Sequence, residues 1–312
     1  MVENPNTLSI VIPTIGRKLL EDTLESVLEK QTVPPDEVIV FDNSGTGKVQ
    51  SASRFSHHPL ITWKVSRERK SITDSWNTAV SFVTKEYVHI CGDDDLLYPD
   101  FVEKVKEKLK SDPGMVYCEP ESMDAEENHI TRPAPLLKKK CYTVSEFWDL
   151  TYSTPPIELF LSSIVFKKTH FDAVNGFKNI IANGLMMDHL FHLEIAFESS
   201  SVMILHPPRW KYRRAVTDWS GACKSQEEKK LLPGQFRNYL QTVHQLFNHK
   251  GLTLSSAYDA HVLRGFLAMI LSPSPDASKL FFGLIHICFA RYINLKNNID
   301  LLRDLFYIVR HY

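Results

Sequence analysis

Runs of Val and Ile alternate with helical patterns over the first third of the chain, and this alternation limits the fold more than any other feature. The predicted strands are Leu8–Ile12, Glu37–Phe41, Leu60–Val65 and Glu86–Cys91. Between them, segments 18–31 and 72–83 carry apolar residues at helical spacing. Near-continuous apolar strands separated by helices are typical of parallel sheets that are buried on both faces. The sequence therefore predicts an α/β fold with a mostly parallel central sheet and helices on both sides.

Composition excludes several classes of protein. The chain is 43% hydrophobic, enough for a sizeable core, and its 36 Lys+Arg and 37 Asp+Glu leave a net charge of -1. Without a basic field, nucleic acid is not a predicted partner. The five cysteines form no CxxC pair, as expected of reduced thiols in a cytoplasmic protein. No signal peptide is recognised, and no stretch reaches the roughly 18 apolar residues of a membrane span.

Carboxylates follow two of the predicted strands directly. Asp42 ends the second strand, and Asp93, Asp94 and Asp95 follow the fourth. Ligands of open α/β sheets bind outside the carboxyl ends of the strands, so both acidic spots are expected in one crevice. Oxygen ligands of this kind suit Mg²⁺ or Mn²⁺. The alternative is a solvated turn before a helix that starts at Leu96, since acidic residues favour a first helical turn.

The order of motifs resembles that of glycosyltransferase family 2. The matching stretches are Pro13-Thr14 after the first strand, Ser26 to Gln31-Thr32 at the end of the first helix, Asp42-Asn43-Ser44 after the second strand, Asp74 to Asn77 in the next helix, and Gly92 to Asp95. The resemblance covers about residues 8–110 and, more loosely, 160–220. It implies a GT-A fold and transfer of a sugar from a nucleotide diphosphate, with inversion at the anomeric carbon.

The same resemblance implies roles for individual residues. Those expected to bind the nucleotide sugar are Pro13, Thr14, Asp42, Lys70, Asn77, Asp93, Arg213 and Arg214. Asp42 would accept a hydrogen bond from the base, although a turn cap is the alternative for a carboxylate at this position. Asp94 or Asp95 would bind Mn²⁺ or Mg²⁺. Counting back from Pro99 favours Asp94, whereas a literal DxD motif favours Asp93 together with Asp95, so the register stays open.

A later stretch suggests the general base. Gly176-Phe177 followed by Met187-Asp188 resembles the family segment Gly-Gly-Phe…Glu-Asp-x-x-Leu, in which the aspartate is the base. Asp188 is therefore the predicted catalytic residue, and Met187 departs from the usual Glu. An aspartate at the start of an apolar helix is also a common N-terminal cap, which is the alternative. The basic stretch that contains Arg213 and Arg214 would contact the diphosphate, or lie at an exposed strand edge.

The rest of the chain divides in two. Residues 1–222 are predicted to form the GT-A catalytic domain and 223–312 a C-terminal helical region that contacts the acceptor, a second copy or a membrane surface. Segment 119–140 is predicted to be a loop. Further predicted strands are Leu159–Phe166, Val202–Leu205 and Trp210–Tyr212, and Leu185–Phe197 is a predicted helix. The aromatic stripe of Leu280–Ile293 has two interpretations: peripheral contact with an anionic inner membrane face, or packing on the catalytic domain or a second copy.

The resemblance thus implies an inverting transferase that acts on a glycan or lipid-linked glycan acceptor in bacterial surface polysaccharide synthesis. A nucleotidyltransferase would need a Gly-rich loop after the first strand, and segment 13–17 has one glycine. A dinucleotide oxidoreductase is excluded because no GxGxxG follows that strand. The non-enzymatic alternative is a catalytically silent nucleotide-binding module of a polysaccharide-assembly complex.

Overall fold

The structure, a computed structural model, describes residues 6–124, 126–130, 137–153, 155–181, 184–214 and 226–255, together with 258, 259 and 262. The strands of this part are β1 Leu8–Thr14, β2 Glu37–Asp42, β3 Ile61–Val65, β4 Tyr87–Ile90, β5 Leu96–Leu97, β6 Met115–Met123, β7 Cys141–Thr143, β8 Ile164–Lys167 and β9 Ser201–Arg213. Its α-helices are α1 Leu20–Leu28, α2 Val49–Ala52, α3 Ile72–Ser81, α4 Phe101–Leu109, α5 Val144–Asp149, α6 Lys168–Ala173, α7 Met187–Ser199 and α8 Gln226–His249.

The strands form one mixed sheet in the order β3-β2-β1-β4-β8-β6-β9-β5, with β7 paired to β9. Strands β1 to β4 are mutually parallel, and Thr14 of β1 lies opposite Asp42 of β2. Strand β8 then enters antiparallel to both β4 and β6. The predicted α/β architecture is confirmed, and the sheet departs from a parallel arrangement at β8 and where β5 and β7 pair antiparallel with β9. The parallel half places the carboxyl ends of β1, β2 and β4 at one edge.

Side chains alternate between two cores, one on each face of the sheet. On β1, Val11 packs into the core that also contains residues of α3, α5, α7 and α8. Its neighbours Ile10 and Ile12 point to the opposite core, together with residues of α1 and α4. This alternation follows from the two-residue period of a strand. Because both faces are covered, the sheet is rigid, and its carboxyl edge can hold side chains in fixed positions.

Two predictions of secondary structure, and the helix start that was considered as an alternative, differ from the structure. The segment predicted as a loop from Glu119 begins inside β6, because Pro120–Met123 pairs with Trp210–Arg213 of β9 despite its polar composition. The two short strands predicted after α7 are one continuous strand, β9. No helix starts at Leu96, which lies in β5; α4 begins at Phe101, after Pro99. In each case pairing with β9 overrides the local sequence preference.

The C-terminal region joins the catalytic core directly where it is described. Phe236, Tyr239, Leu240 and Val243 of α8 are buried in the same core as α3 and α7. The predicted boundary at 222/223 and the stripe at 280–293 lie outside the described residues. Among the helices of the described part, none has the length and apolarity that a membrane crossing requires.

Candidate active site

A cleft of about 540 Å³ opens at the carboxyl edge of the sheet. Its walls carry Pro13, Thr14, Ile15, Arg17, Asn43, Arg69, Lys70, Ile72, Ser75, Trp76, Ile90, Cys91, Gly92, Asp93, Asp94, Asp95, Phe160, Leu161, Ser162, Asp188, Tyr212 and Arg213. A volume of this size is typical of small-molecule sites. The cleft therefore joins the aspartates after β4, the cations of neighbouring loops and Asp188 of α7 in one place.

Helix α1 holds the aspartate loop, residues 92–95, in position. The Thr23 hydroxyl donates to the backbone carbonyl of Asp95 at 2.9 Å, and the Leu97 N–H donates to the Ser26 hydroxyl at 3.2 Å. Gln31 donates to the Tyr98 carbonyl at 2.8 Å and accepts from the N–H of Val102 at 3.0 Å. The motif residues Ser26 and Gln31 are not among the described cleft-lining residues, and they fix the segment that follows the loop.

The three aspartates have different surroundings. Asp93 accepts from the Thr14 hydroxyl at 2.6 Å and lies 3.6 Å from Nε of Arg17. Asp94 pairs with Nη1 of Arg17 and keeps 18% of its side chain exposed. Asp95 is 3% exposed and accepts from the Ser162 hydroxyl at 2.7 Å and from the Arg213 N–H at 3.3 Å. The carboxylate that is most open to the cleft is therefore Asp94.

Burial and mutual repulsion change the acidity of this loop. Burial, reinforced by the negative charge of Asp94, raises the pKa of Asp95 to about 7. Burial also raises the pKa of Asp93, against the opposing effects of Thr14 and Arg17. Gly92 makes the crowding possible, because a Cβ at that position would lie 2.8 Å from Oδ2 of Asp95 and 3.2 Å from Oδ1 of Asp94. The loop holds negative charge that favours a cation.

Pro13, Thr14 and Lys70, all predicted to contact the donor, line the cleft. Lys70 is held by its backbone: its N–H donates to the Asn43 side chain at 2.8 Å and its carbonyl accepts from it at 3.1 Å. Asp42 is placed differently. It is fully buried, and its carboxylate accepts from the N–H groups of Ser44 at 2.8 Å and Val49 at 3.3 Å. These hydrogen bonds are the ones expected if Asp42 caps a turn. A contact between Asp42 and the nucleobase of the donor stays a prediction.

Asn77, also predicted to bind the donor, is not among the described cleft-lining residues. Its amide donates to the Phe177 carbonyl at 3.0 Å and accepts from the Phe177 N–H at 2.8 Å. Gly176 has a φ of +67°, and an added Cβ there would clash with the Asn77 side chain. The motif that contains Asn77 therefore contacts the motif that begins at Gly176-Phe177. Through this contact, α3 fixes the position of the segment that precedes Asp188.

Asp188 lies in the first turn of α7 and reaches the cleft wall. The N-cap position belongs to Met186, so Asp188 is not the cap residue itself. Its Oδ1 accepts from the His189 N–H at 2.9 Å, and its own carbonyl contacts Nδ1 of His192 at 2.5 Å. Burial raises the pKa of Asp188, while His192 and the His189 N–H oppose the increase. Met187, which replaces the family's Glu, packs against the Thr73 hydroxyl of α3.

The two arginines at the end of β9 are used differently. Arg213 lines the cleft, and its side chain donates to the Asp94 carbonyl at 3.1 Å and to Glu127 at 2.9 Å. Arg214 is not among the described residues of the cleft wall; it donates to the Ser122 hydroxyl at 3.2 Å and to Glu158 at 2.5 Å. A diphosphate contact therefore has better support at Arg213 than at Arg214.

Sequence reasoning missed several residues of the cleft. Arg17 and Ser162, which bind the aspartates, were not predicted, and neither were the aromatic residues Phe160 and Tyr212. Arg17 carried a usable signal, since a cation in the loop after β1 lies at the same sheet edge as the aspartates. Ser162 and Phe160 carried none, because a segment more than sixty residues downstream of the aspartates meets them only in the folded chain.

Comparisons with known proteins agree with this geometry. The family model described as Glycosyl transferase family 2 matches residues 9–166. An uncharacterized glycosyltransferase, YwdF of Bacillus subtilis, is 26% identical over 144 residues, covering 46% of this chain and 52% of that protein. A second, from Haemophilus influenzae, is 27% identical over 151 residues, covering 48% and 44%. The match thus spans about half the length of these curated relatives.

Solved structures share the fold. The crystal structure of S. aureus TarS in complex with UDP-GlcNAc superposes with a TM-score of 0.58 at 15% identity, covering 97% of this chain and 81% of that one. The TarS complex with UDP gives a TM-score of 0.54 at 14% identity, with coverages of 97% and 81%. At this level of identity the likeness concerns the fold, and it confirms the GT-A architecture.

Proposed function

This chain belongs to glycosyl transferase family 2, and from that premise we propose that it moves a sugar from a nucleotide-diphosphate sugar to a hydroxyl of a glycan or lipid-linked glycan, with inversion at the anomeric carbon. The observation that carries the proposal is the shared cleft of the aspartate loop and Asp188. The aspartate loop, with a bound cation, is suited to hold a diphosphate, and Asp188 is suited to remove a proton from an attacking hydroxyl.

The donor occupies the side of the cleft formed by the ends of β1 and β4, which we call the donor side. Thr14 and Lys70 line it next to the aspartates, together with Arg17 and Arg213. Guanidinium groups make bidentate hydrogen bonds with phosphate oxygens. UDP and UDP-GlcNAc, the ligands of the TarS structures, are the first compounds to test as nucleotide and donor.

The aspartates fit a divalent cation in the manner usual for phosphate-binding sites. Among the described residues, no group of three or more acidic, His or Cys side chains converges as a metal site. Mg²⁺ in such enzymes takes one or two carboxylates and completes its shell with water and substrate phosphates. Asp94 and Asp95 would supply these carboxylates. Mg²⁺ or Mn²⁺ bound there would neutralise charge on the departing nucleotide diphosphate.

Asp188 acts as the general base. Its carboxylate lines the cleft and accepts from the His189 N–H at Oδ1, and in this proposal Oδ2 takes the proton of the acceptor. Burial raises its pKa toward the range in which a carboxylate is an efficient base at neutral pH. The acceptor oxygen forms its bond to the anomeric carbon as the bond to the diphosphate breaks, so the protein needs no covalent nucleophile.

Acceptor and location are part of the same proposal. A glycan or lipid-linked glycan of bacterial surface polysaccharide synthesis would be glycosylated in the cytoplasm, with the protein free or bound peripherally at the inner membrane face. Residues 223–312 would provide contacts with acceptor, membrane or a second copy.

The test begins with a thermal-shift panel of nucleotide diphosphates with Mn²⁺, because a ligand that binds only the folded state raises its stability. Transfer and hydrolysis are then measured with the matching nucleotide sugars, and proton NMR gives the anomeric configuration of the product. Inverted product that depends on Asp188 supports the proposal. Nucleotide binding with neither transfer nor hydrolysis would instead establish the silent module, and retention of configuration would exclude direct displacement.

A further inference from the structure

Three aromatic residues, Trp76, Phe160 and Tyr212, line the cleft that also contains Asp188, and the last two form a pair. Phe160 precedes β8, and Tyr212 lies near the end of β9. Their rings are stacked, with centroids 3.9 Å apart and planes inclined by 13°. Both are only partly buried: they line the cleft on one side and pack against the core that contains residues of α1 and α4 on the other. Stacking covers the facing sides of the two rings, so a ligand in the cleft would pack on the outer face of the pair.

The pair is held rigidly from behind. The guanidinium of Arg214 lies 5.4 Å from the Tyr212 centroid and 5.9 Å from that of Phe160, and it is anchored by Ser122 and Glu158. Trp210 makes edge contacts with both rings, at 6.4 Å to Phe160 and 6.2 Å to Tyr212. Rings that are fixed before a ligand arrives lose little entropy on binding. These contacts give Arg214 a use other than the predicted diphosphate contact.

The pair lines the same cleft as the aspartate loop and Asp188, and Ser162 and Arg213, which are close to it in the chain, both hydrogen-bond to Asp95. The pKa of Tyr212 is raised by burial and by the negative charges of Asp95, Asp94 and Asp188. The Tyr212 hydroxyl is therefore within electrostatic reach of both the aspartate loop and Asp188. An acceptor must place its hydroxyl between the same two groups, so its remaining atoms have to rest on the surface nearby.

We propose that Phe160 and Tyr212 form an acceptor platform, on which the apolar face of a pyranose ring packs while one of its hydroxyls points to Asp188. The acceptor is then a sugar ring rather than an acyclic polyol, which has similar hydroxyls but no flat carbon–hydrogen face. This inference rests on the proposed glycosyl transfer and names the chemical class of its acceptor.

Ligand-observed saturation-transfer NMR tests the platform without requiring turnover. The probes are methyl pyranosides of glucose, galactose and N-acetylglucosamine, with ribitol and glycerol as acyclic controls, each in the presence of UDP and Mg²⁺. The variants are Phe160→Leu and Tyr212→Leu, which keep apolar volume but remove the flat ring. Tyr152→Leu is the matched control, because Tyr152 is a partly buried tyrosine outside the described cleft wall. Calorimetry with UDP reports on the donor side of each variant.

We expect a pyranoside to bind to the wild type and to Tyr152→Leu, and its affinity to fall about threefold to tenfold in each platform variant, as for the loss of an aromatic contact. Affinity for UDP should stay within about twofold, which also shows that the variants are folded. Three results would each overturn the platform: pyranosides bind the variants as well as the wild type, no pyranoside binds the wild type, or the acyclic polyols bind equally. A loss of UDP affinity in place of pyranoside affinity would assign the rings to the nucleobase. Whether the protein transfers a sugar at all is decided separately, by the assay of transfer and hydrolysis products described above.

Discussion

The donor side and the acceptor side of the cleft are built in different ways. On the donor side, the aspartate loop follows β4 directly and is fixed by hydrogen bonds from α1, the helix after the neighbouring strand. The acceptor side is the part of the cleft wall formed by Phe160, Asp188 and Tyr212. These residues come from three segments far apart in the chain. Helix α3 joins the segment before Asp188 through the two hydrogen bonds of Asn77 to Phe177 and through an edge contact of Trp76 with the Phe177 ring at 5.6 Å. The donor-side carboxylates therefore come from one short segment after β4 that long-range hydrogen bonds fix in place, whereas the acceptor side is assembled from segments that are far apart in the chain.

The substitution Asp188→Asn distinguishes the role of the acceptor side from that of the donor side most clearly. An amide cannot take the proton of the acceptor, so turnover should fall by about 10²–10⁴-fold, the usual worth of a general base. In the wild type the base is inactive when protonated, and its pKa lies above the ordinary value for aspartate. Turnover should thus rise with pH through that raised pKa and then level, and the variant should lack this rise.

The matched control is Asp172→Asn, which changes an exposed carboxylate paired with Lys168 on α6. Its steady-state pH profile should equal that of the wild type. An unchanged acid limb in Asp188→Asn would show that another group titrates in that limb and would remove Asp188 from the role of base.

A second substitution breaks the link between the sides. Gly176→Ala places a side chain at a φ of +67° and against Asn77, so the hydrogen bonds to Phe177 cannot both persist. We expect a loss of about 2–4 kcal/mol of unfolding free energy, the sum of backbone strain and a disrupted buried hydrogen bond. Gly47→Ala has a similar φ of +66°, and its added methyl makes only an ordinary van der Waals contact, 3.6 Å from Cγ1 of Val65, so it measures the strain alone, about 1–2 kcal/mol. Equal losses in urea unfolding would show that the contact between Asn77 and Phe177 contributes nothing.

The smallest predicted effect concerns Arg17, whose positively charged side chain lies on the donor side. Arg17 contacts Asp93 and Asp94, so Mn²⁺ must compete with it for these carboxylates. Since partly exposed ion pairs are worth about 0.2–1 kcal/mol, Arg17→Gln should tighten Mn²⁺ binding by about 1.5-fold to 5-fold without donor. Calorimetry measures this, with Arg54→Gln as control because Arg54 pairs with Glu25 on another surface. Weaker Mn²⁺ binding in Arg17→Gln would contradict the competition.

The contrast also explains what the sequence could predict. The alternating strands and the position of the aspartates after β4 follow from local patterns, and the structure reproduces both. Asp188 was found through a motif, not through a pattern of its own. Phe160 and Tyr212 were missed because only the folding of β9 against β6 and of segment 155–160 brings them together. The sequence separation of Phe160 and Tyr212 does not indicate that their rings are in contact.

Side-chain roles were harder to predict than positions. Asp42 and Asn77 lie where the motifs place them, but their polar atoms bind backbone groups of the protein. A carboxylate or amide at a strand or helix end can either meet a ligand or cap a turn, and composition cannot distinguish these uses. The difference depends on which N–H groups the fold brings nearby.

The central claim is that the aspartate loop binds the donor and Asp188 acts on the acceptor. Calorimetric titration of UDP with Mn²⁺ into Asp94→Asn and Asp188→Asn tests it most directly. Asp94→Asn should weaken UDP–Mn²⁺ binding by at least about tenfold, since even outer-shell partners of a metal are worth that much. Asp188→Asn should bind UDP–Mn²⁺ within about twofold of the wild type, because the base acts only on the attacking hydroxyl. Equal loss of affinity in both variants, or a loss confined to Asp188→Asn, would contradict the division of the cleft.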